Sequence, residues 1–241
     1  MLSRIFRRAR EARRPFCTAL VAAAGRGTRM GGIDKLLEPL DGVPVLVRTL
    51  QALQLAQRVD AIVVAAREEA LLEVSELCHT YGITKCTKIV LGGESREQSV
   101  LRAALEAGDA ELLAVQDGAR PLVTPELIDR VVELAGRCGA AAPAVPVKDT
   151  VKIVQGNRVA STPDRSTLMA VQTPQVFQAD VLKAALQSAL DAGIPLTDDC
   201  SAVERLGKTV YLTEGDPENL KITTPIDLVV AEAILQDRQE R

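Results

Sequence analysis

Short, unbroken apolar runs recur along this chain, and each is followed by a stretch whose apolar positions fall three and four residues apart. Cys17–Ala23 (CTALVAA) is the first run, and Ala61–Ala65, Lys88–Val90, Leu112–Gln116 and Ala140–Val145 repeat the theme. Runs this short, without polar alternation, predict strands buried on both faces. Between them, Val45–Arg58 has helical spacing through Leu46, Leu50, Leu53 and Leu55, and Glu68–Tyr81, Glu97–Ala107 and Pro125–Cys138 read as further helices. Strands alternating with helices predict an α/β fold with a single doubly wound, mostly parallel sheet. Such sheets bind ligands at the carboxyl ends of their strands, so the loop after the first strand and Asp117 after a later one are brought to one crevice.

The alternation breaks at residues 148–177. Val151–Val154 and Val159–Ser161 flank Gln155-Gly156-Asn157, a hairpin signal. A β-arm over about 148–172 either covers the crevice or reaches a neighbouring subunit. Helical patterning returns at Ala179–Ala192, and a strand at Thr209–Thr213 and a helix at Pro225–Gln236 close the chain.

Composition narrows the function. Aromatic residues make up 2% of the chain, with no Trp, which argues against base stacking on nucleic acid. The net charge of -3 provides no global basic field for DNA or RNA. Residues 1–15 are set apart: MLSRIFRRAREARR is rich in Arg and reads as a flexible, solvated extension rather than a nucleic-acid or membrane tether, with residues 16–241 forming the folded domain. No run reaches the ~18 apolar residues of a membrane span. Cys17, Cys78, Cys86, Cys138 and Cys200 are odd in number and lack CxxC spacing, so they read as reduced cytoplasmic thiols, mostly core filler. His79 has no Cys or His partner at ligand spacing and reads as a surface or satisfied histidine.

Five segments carry candidate chemistry. In AAAGRGTRM, with Lys35 soon after, small residues let backbone amides approach a phosphate chain while Arg29 and Lys35 add positive charge. A dinucleotide fingerprint fails because Met30 stands where the third glycine belongs, and no GK[ST] completes a Walker loop. In GGESREQSV, Ser95 can cap the next helix and Ser99 can reach a base or ribose. In QDGARP, Asp117 suits Mg²⁺ or a ribose hydroxyl, and Arg120 has the planar fork for a phosphate, with a plain Asp–Arg ion pair as the lesser alternative. Thr150, Arg165 and the segment Gln172-Thr173-Pro174-Gln175 fall in or beside the arm, where hydroxyls and Arg165 suit a polyol phosphate. In NLKITTPID, Thr224 and Pro225 read as N-cap and first turn of the last helix, leaving Lys221, on a strand end, as the functional candidate.

The strings AAAGRGTRMGG…K, GGESREQSV, DGARPLVTPELI, PVKDTVK, QTPQVF, TDDCSAVE and GDPENLKITTPIDL stand in the order and spacing of one family. Over roughly residues 17–236 the chain resembles the 2-C-methyl-D-erythritol 4-phosphate cytidylyltransferases of the non-mevalonate isoprenoid pathway. The resemblance implies a nucleotidyltransferase, Rossmann-like fold that moves CMP from CTP to the polyol phosphate with Mg²⁺ as cofactor. It implies that Arg29, Lys35 and Lys221 act at the CTP phosphates. Ala23, Ala24, Gly25, Gly93 and Ser99 would line the cytosine and ribose pocket, and Asp117, Arg120, Thr150, Arg165 and Thr173 would serve the polyol phosphate. It further implies a cytoplasmic homodimer in which the β-arms are exchanged. One departure concerns the site directly: the family usually has Pro before the catalytic lysine, and this chain has Asp34.

A polyol phosphate nucleophile is already ionised at neutral pH, so positioning and charge stabilisation suffice, consistent with the lack of any Ser/His/Asp or Cys/His arrangement. A cytidylyltransferase for another polyol phosphate, such as ribitol 5-phosphate, shares the CTP half of the site and is the nearest alternative. An NAD-dependent oxidoreductase conflicts with the broken fingerprint, and a nucleotide-sensing module conflicts with the retained Arg29, Lys35 and Lys221.

Overall fold

A computed structural model describes residues 14–25 and 34–241. Its centre is an eight-stranded sheet. Strand β1 (Cys17–Ala23) pairs in parallel with β4 (Ala61–Ala66) on one side and β6 (Leu112–Asp117) on the other, and β5 (Cys86–Leu91) extends the sheet beyond β4. All six residues of β4 and of β6 are buried, as the unbroken apolar runs require. Two minor strands, β2 (Pro39–Leu40) and β3 (Val43–Pro44), form a separate turn with Asp41 and Gly42 at positive φ.

Helices cover both faces. One core layer takes α1 (Val45–Leu55), α2 (Leu71–Thr80), α4 (Pro125–Cys138) and Ala231 of the last helix, α7 (Pro225–Glu240). The other takes α3 (Arg96–Leu105), α5 (Ala179–Asp191) and α6 (Asp199–Arg205). Local rules set their ends. Thr124 accepts a hydrogen bond from the Leu127 amide, Pro125 opens α4, and Gly139, at φ +89°, ends it in the left-handed conformation that glycine takes without steric cost. Helix α1 stops at Leu55 rather than Arg58 because Ala56 turns extended, and the first turn of the predicted Glu68–Tyr81 helix is a 3₁₀ turn, Glu68–Ala70. The last helix runs past Gln236 to Glu240.

The mostly parallel sheet has one interruption. Strand β7 (Ala140–Pro146) is not beside β6; β11 (Gln175–Gln178) lies antiparallel between them. Strand β10 (Met169–Val171) pairs antiparallel with β7, and β12 (Tyr211–Glu214) pairs with it in parallel, starting two residues later than Thr209. The hairpin forms as a separate ribbon of β8 (Ile153–Gln155) and β9 (Arg158–Ser161) joined through Gly156-Asn157, shorter on its first strand than the pattern predicts. Ile153, Val154 and Val159 on this ribbon are all more than half exposed.

Cys17, Cys78 and Cys200 are buried and all five cysteines are free, as core filler should be; His79 is exposed on α2. Burial pushes the Cys17 thiol up to about 12. Arg14, read as part of the extension, forks onto Asp60 at 2.7 and 2.8 Å, and the same carboxylate accepts the Cys17 amide at 2.9 Å, which fastens the start of β1.

Asp60 gives a pH prediction. Burial raises its pKa, but the Arg14 fork and the Cys17 amide outweigh burial and hold it below the usual carboxylate range. A pKa lower in the folded chain stabilises the fold above about pH 4, and that contribution disappears as pH falls through the folded value. Asp60→Asn should cost about 1 kcal/mol near pH 7. The gap to the parent should close toward about pH 2. Urea unfolding of both proteins across that range is the measurement.

Candidate active site

Strand β1 has β4 on one side and β6 on the other, so the chain reverses its winding there and the loops leaving the carboxyl ends diverge. A crevice of about 920 Å³ opens at this point. Ala24 and Gly25 after β1, Arg67–Glu69 after β4, Gly92–Arg96 after β5 and Asp117–Ala119 after β6 line it, together with Lys35, Ser99, Arg102 and Lys221.

The glycine wall is built from close contacts. A Cβ on Gly92 would lie 2.3 Å from the Ala24 Cβ, and one on Gly93 would lie 2.3 Å from the Gln98 Cβ. Ser95 caps α3 through the Gln98 amide, as its position predicts. Ser99 is buried; its hydroxyl donates to the Ser95 carbonyl at 2.8 Å and accepts the Gly93 amide at 3.0 Å. Ser99 therefore shapes the pocket loop as well as lining it.

Asp117 is the electrostatic centre. Its Oδ2 lies 2.8 Å from Lys221 Nζ and 3.6 Å from Arg120 Nε, and its Oδ1 lies 3.5 Å from Arg96 Nη2. Burial raises its pKa, but Arg96, Lys221 and Arg120 more than offset that and hold it at about 2. Arg96 also meets Asp199 at 2.7 Å. Asp199 is wholly buried, which pushes its pKa up against the pull of Arg96.

The loop carrying Lys221 is pinned from below. The Ile222 amide donates to the Ala119 carbonyl at 2.8 Å, and the buried Asn219 donates to the Thr173 carbonyl at 3.1 Å while its own carbonyl accepts Arg120 Nη1 at 2.7 Å. Lys35 Nζ donates to the Ile222 carbonyl at 2.8 Å, so the two lysines converge from opposite ends of the chain. Lys221 stands in this loop, not on a strand end.

Of the residues singled out in the sequence, Ala24, Gly25, Lys35, Gly93, Ser99, Asp117 and Lys221 share the crevice. Ala23 is buried at the end of β1. Thr173 and Arg120 are buried behind Asp117; the Thr173 hydroxyl accepts the Asp117 amide at 3.2 Å, and the Arg120 fork is held by Asn219 and Asp117. Thr150 and Arg165 do not line the crevice. They are exposed on the arm, where Arg165 donates to the Lys148 carbonyl at 2.6 Å. Arg29 lies outside the described residues.

Sequence reasoning missed Arg67, Arg96 and Asp199. Arg96 stood in view inside GGESREQSV and Asp199 inside TDDCSAVE, but no spacing rule links an α3 arginine to an acid 103 positions later, as the fold does. It also missed why QTPQ matters. Gln172 exchanges hydrogen bonds with the Asp216 backbone, and Gln175 accepts the Asp199 and Cys200 amides and donates to Asp198, so the two glutamines fasten both loops that back the site.

The chain is similar to known proteins over most of its length. The family model described as 2-C-methyl-D-erythritol 4-phosphate cytidylyltransferase matches residues 17–237. The Bacillus cereus protein of that name is 44% identical over 220 residues, covering 91% of this chain and 97% of its own. A crystal structure of 4-diphosphocytidyl-2C-methyl-D-erythritol synthase from Anaerococcus prevotii superposes with a TM-score of 0.81 at 29% identity, covering 92% of this chain and 96% of that one. The Thermus thermophilus cytidylyltransferase structure gives 0.76 at 34% identity, covering 90% and 98%.

Gly92 supplies the test of the pocket wall. Gly92→Ala forces its new methyl against Ala24 and to 3.1 Å from the Ser99 hydroxyl. Overpacking of this kind costs about 1–3 kcal/mol. Spent on the pocket, that is about five- to 150-fold in nucleotide affinity. Titration of nucleotide into the two proteins reads it directly.

Proposed function

The chain belongs to the 2-C-methyl-D-erythritol 4-phosphate cytidylyltransferase family, and from that premise we propose how its crevice carries out the reaction. It is a nucleotidyltransferase that transfers the cytidylyl group of CTP to 2-C-methyl-D-erythritol 4-phosphate in isoprenoid synthesis. The observation that carries the mechanism is the convergence of Lys35 and Lys221 beside Asp117, at the mouth of a glycine-walled pocket.

The glycine wall at Gly92–Gly93, with Ser99 and Ala24, receives the base and ribose. The triphosphate extends toward Lys35 and Lys221, and the role proposed for Arg29, which lies outside the described residues, is on the same phosphates. A phosphate oxygen of the polyol phosphate forms the new bond to the α-phosphorus while the bond to the β-phosphate bridging oxygen breaks, its electrons leaving with pyrophosphate. No proton has to move. In the absence of substrate Lys221 rests on Asp117, so its ammonium is already placed at the crevice before charge develops. A phosphate that draws Lys221 away leaves the Asp117 carboxylate able to accept a polyol hydroxyl.

Divalent metal use is general among nucleotidyltransferases, and Mg²⁺ is the cation proposed. The described residues do not fit a resident metal centre: they hold no group of three or more candidate ligands, and Asp117 is already engaged by three cations. This argues against Asp117 as a standing metal ligand and favours a cation that arrives on the triphosphate.

Thr150 and Arg165 reach a crevice only if the arm reaches across to a second subunit. The exposed apolar residues of the arm and of β10, Ile153, Val154, Val159, Met169 and Val171, support a homodimer that covers them. No described helix is long and apolar enough to cross a membrane. Five free cysteines support a cytoplasmic location.

Pyrophosphate release with CTP and a panel of polyol phosphates tests the substrate reading. CTP with 2-C-methyl-D-erythritol 4-phosphate should dominate, and equal turnover with ATP or with ribitol 5-phosphate would overturn it. Lys221→Ala should lose about 10²–10³-fold in kcat. Near-normal kcat in that variant would reduce Lys221 to a structural charge. Mixing Arg165→Ala with Lys35→Ala subunits should restore activity through heterodimers with one intact site, and continued inactivity after proven subunit exchange would sink the shared site.

A further inference from the structure

Arg67 is the first residue past β4, and its backbone is anchored by a strand buried along its whole length. Its side chain turns into the crevice mouth and meets three partners. Nη1 donates to the Gly25 carbonyl at 3.3 Å, Nη2 pairs with the Asp34 carboxylate, and Nε lies 3.2 Å from Glu69 Oε1. The mechanism above uses neither Arg67 nor Asp34.

Asp34 stands where the resembling family usually has proline, immediately before Lys35. A proline ring fixes its own φ and so limits where the next residue can point. Asp34 reaches a comparable end through hydrogen bonds. Its Oδ1 accepts the Leu36 amide at 3.1 Å, closing an Asx turn across Lys35, and its carbonyl accepts the Leu37 and Glu38 amides at 2.9 and 3.2 Å. An Asx turn on a mobile carboxylate is a weak device unless the carboxylate is itself held, and Arg67 holds it. The Arg67 and Asp34 side chains are only 16% and 23% exposed, so solvent and salt screen this pair far less than a surface pair.

We propose that Arg67 is a positioning residue for Lys35, acting through the Asp34 carboxylate to fix the turn that carries the lysine. The proposal rests on the reading of Lys35 as a cation at the α-phosphate. The planar fork matters because one guanidinium spans Gly25, two residues past β1, and Asp34 at the start of the Lys35 turn; an ammonium at the same place reaches one of them at a time. Arg67 thereby ties the Lys35 turn to the sheet, and Lys35 arrives beside Ile222 and Lys221 with its position set.

The rival reading makes Arg67 a direct phosphate ligand, since it lines the crevice. Steady-state kinetics separate the two. Arg67→Ala should lower kcat by roughly ten- to a hundredfold, the scale of a displacement near 1 Å in a catalytic group. KM for CTP should change little. Arg67→Lys should fall between. Arg67→Ala combined with Asp34→Pro should regain most of the lost kcat, because the ring then does what the ion pair did. Thermal melts confirm that each variant is folded, and Lys35→Ala is measured alongside. Unchanged kcat in Arg67→Ala overturns the proposal, as does a loss confined to KM for CTP, or a kcat loss that proline does not relieve. Near-normal kcat in Lys35→Ala removes instead the reading of Lys35 on which the proposal stands.

Discussion

A buried carboxylate, Asp117, sets the terms for everything around the crevice. Taking one such charge out of water costs several kcal/mol unless cations and hydrogen bonds compensate it. Here the compensation comes from three separate places: Arg96 at the start of α3, Arg120 just past β6 and Lys221 in the loop before α7. Together the three cations outweigh burial and hold the Asp117 pKa at about 2. The same requirement that orders the loops in the unliganded chain leaves a lysine at the crevice mouth, where an incoming phosphate can compete for it. Arg96, shared with the buried Asp199, cannot follow Lys221 without leaving that acid uncompensated. The geometry therefore separates one cation that can move from two that stay.

Neutral hydrogen bonds do the complementary work. Loops at this edge carry backbone groups that helices and strands would otherwise satisfy. Gln172 closes on the Asp216 backbone, Gln175 on the first turn of α6, and Asn219 on the Thr173 carbonyl. Amide side chains suit this because one group can donate and accept together: Gln172 and Gln175 each do both, while Asn219 donates, and none adds charge beside Asp117. Gln175 opens β11, the antiparallel strand inserted between β6 and β7, Gln172 lies three residues before it, and Asn219 bonds Thr173 in between, so the interruption of the parallel sheet helps deliver them under the site.

Much of the sheet and most helices were legible because buried parallel strands leave unbroken apolar runs. Cys17–Ala23 and Pro125–Cys138 match their predicted bounds, and the crevice residues Gly25, Lys35, Gly93, Ser99, Asp117 and Lys221 share one cavity. What escaped had no such signal. Strand β11 is four residues long and opens directly into α5, so its apolar pair Val176 and Phe177 merges with the helix pattern. Helix α6 is seven residues, too short for a period to show. Arg67 and Asp199 lie in segments whose local pattern gives only a strand end and a helix start. Their meaning comes from partners 33 and 103 positions away, set by strand order rather than by spacing.

The arm poses the opposite problem, since its residues were singled out from the sequence yet stand apart from the crevice. Thr150 and Arg165 are exposed, and the ribbon of β8 and β9 pairs with no other described strand. An isolated two-stranded hairpin is marginal in water. This one presents Ile153, Val154 and Val159 to solvent, so it gains little by standing alone and much by being covered. In the proposed homodimer a second copy of the chain would offer its own exposed β10 and arm, a contact that would be self-complementary and closed under two-fold symmetry. In that arrangement the charge network around Asp117 is complete within one subunit, while the groups suited to grip the polyol phosphate come from the other. On the proposed reading, folding alone sets the nucleotide half of the site, while the acceptor half combines Asp117 of one subunit with the arm of the other.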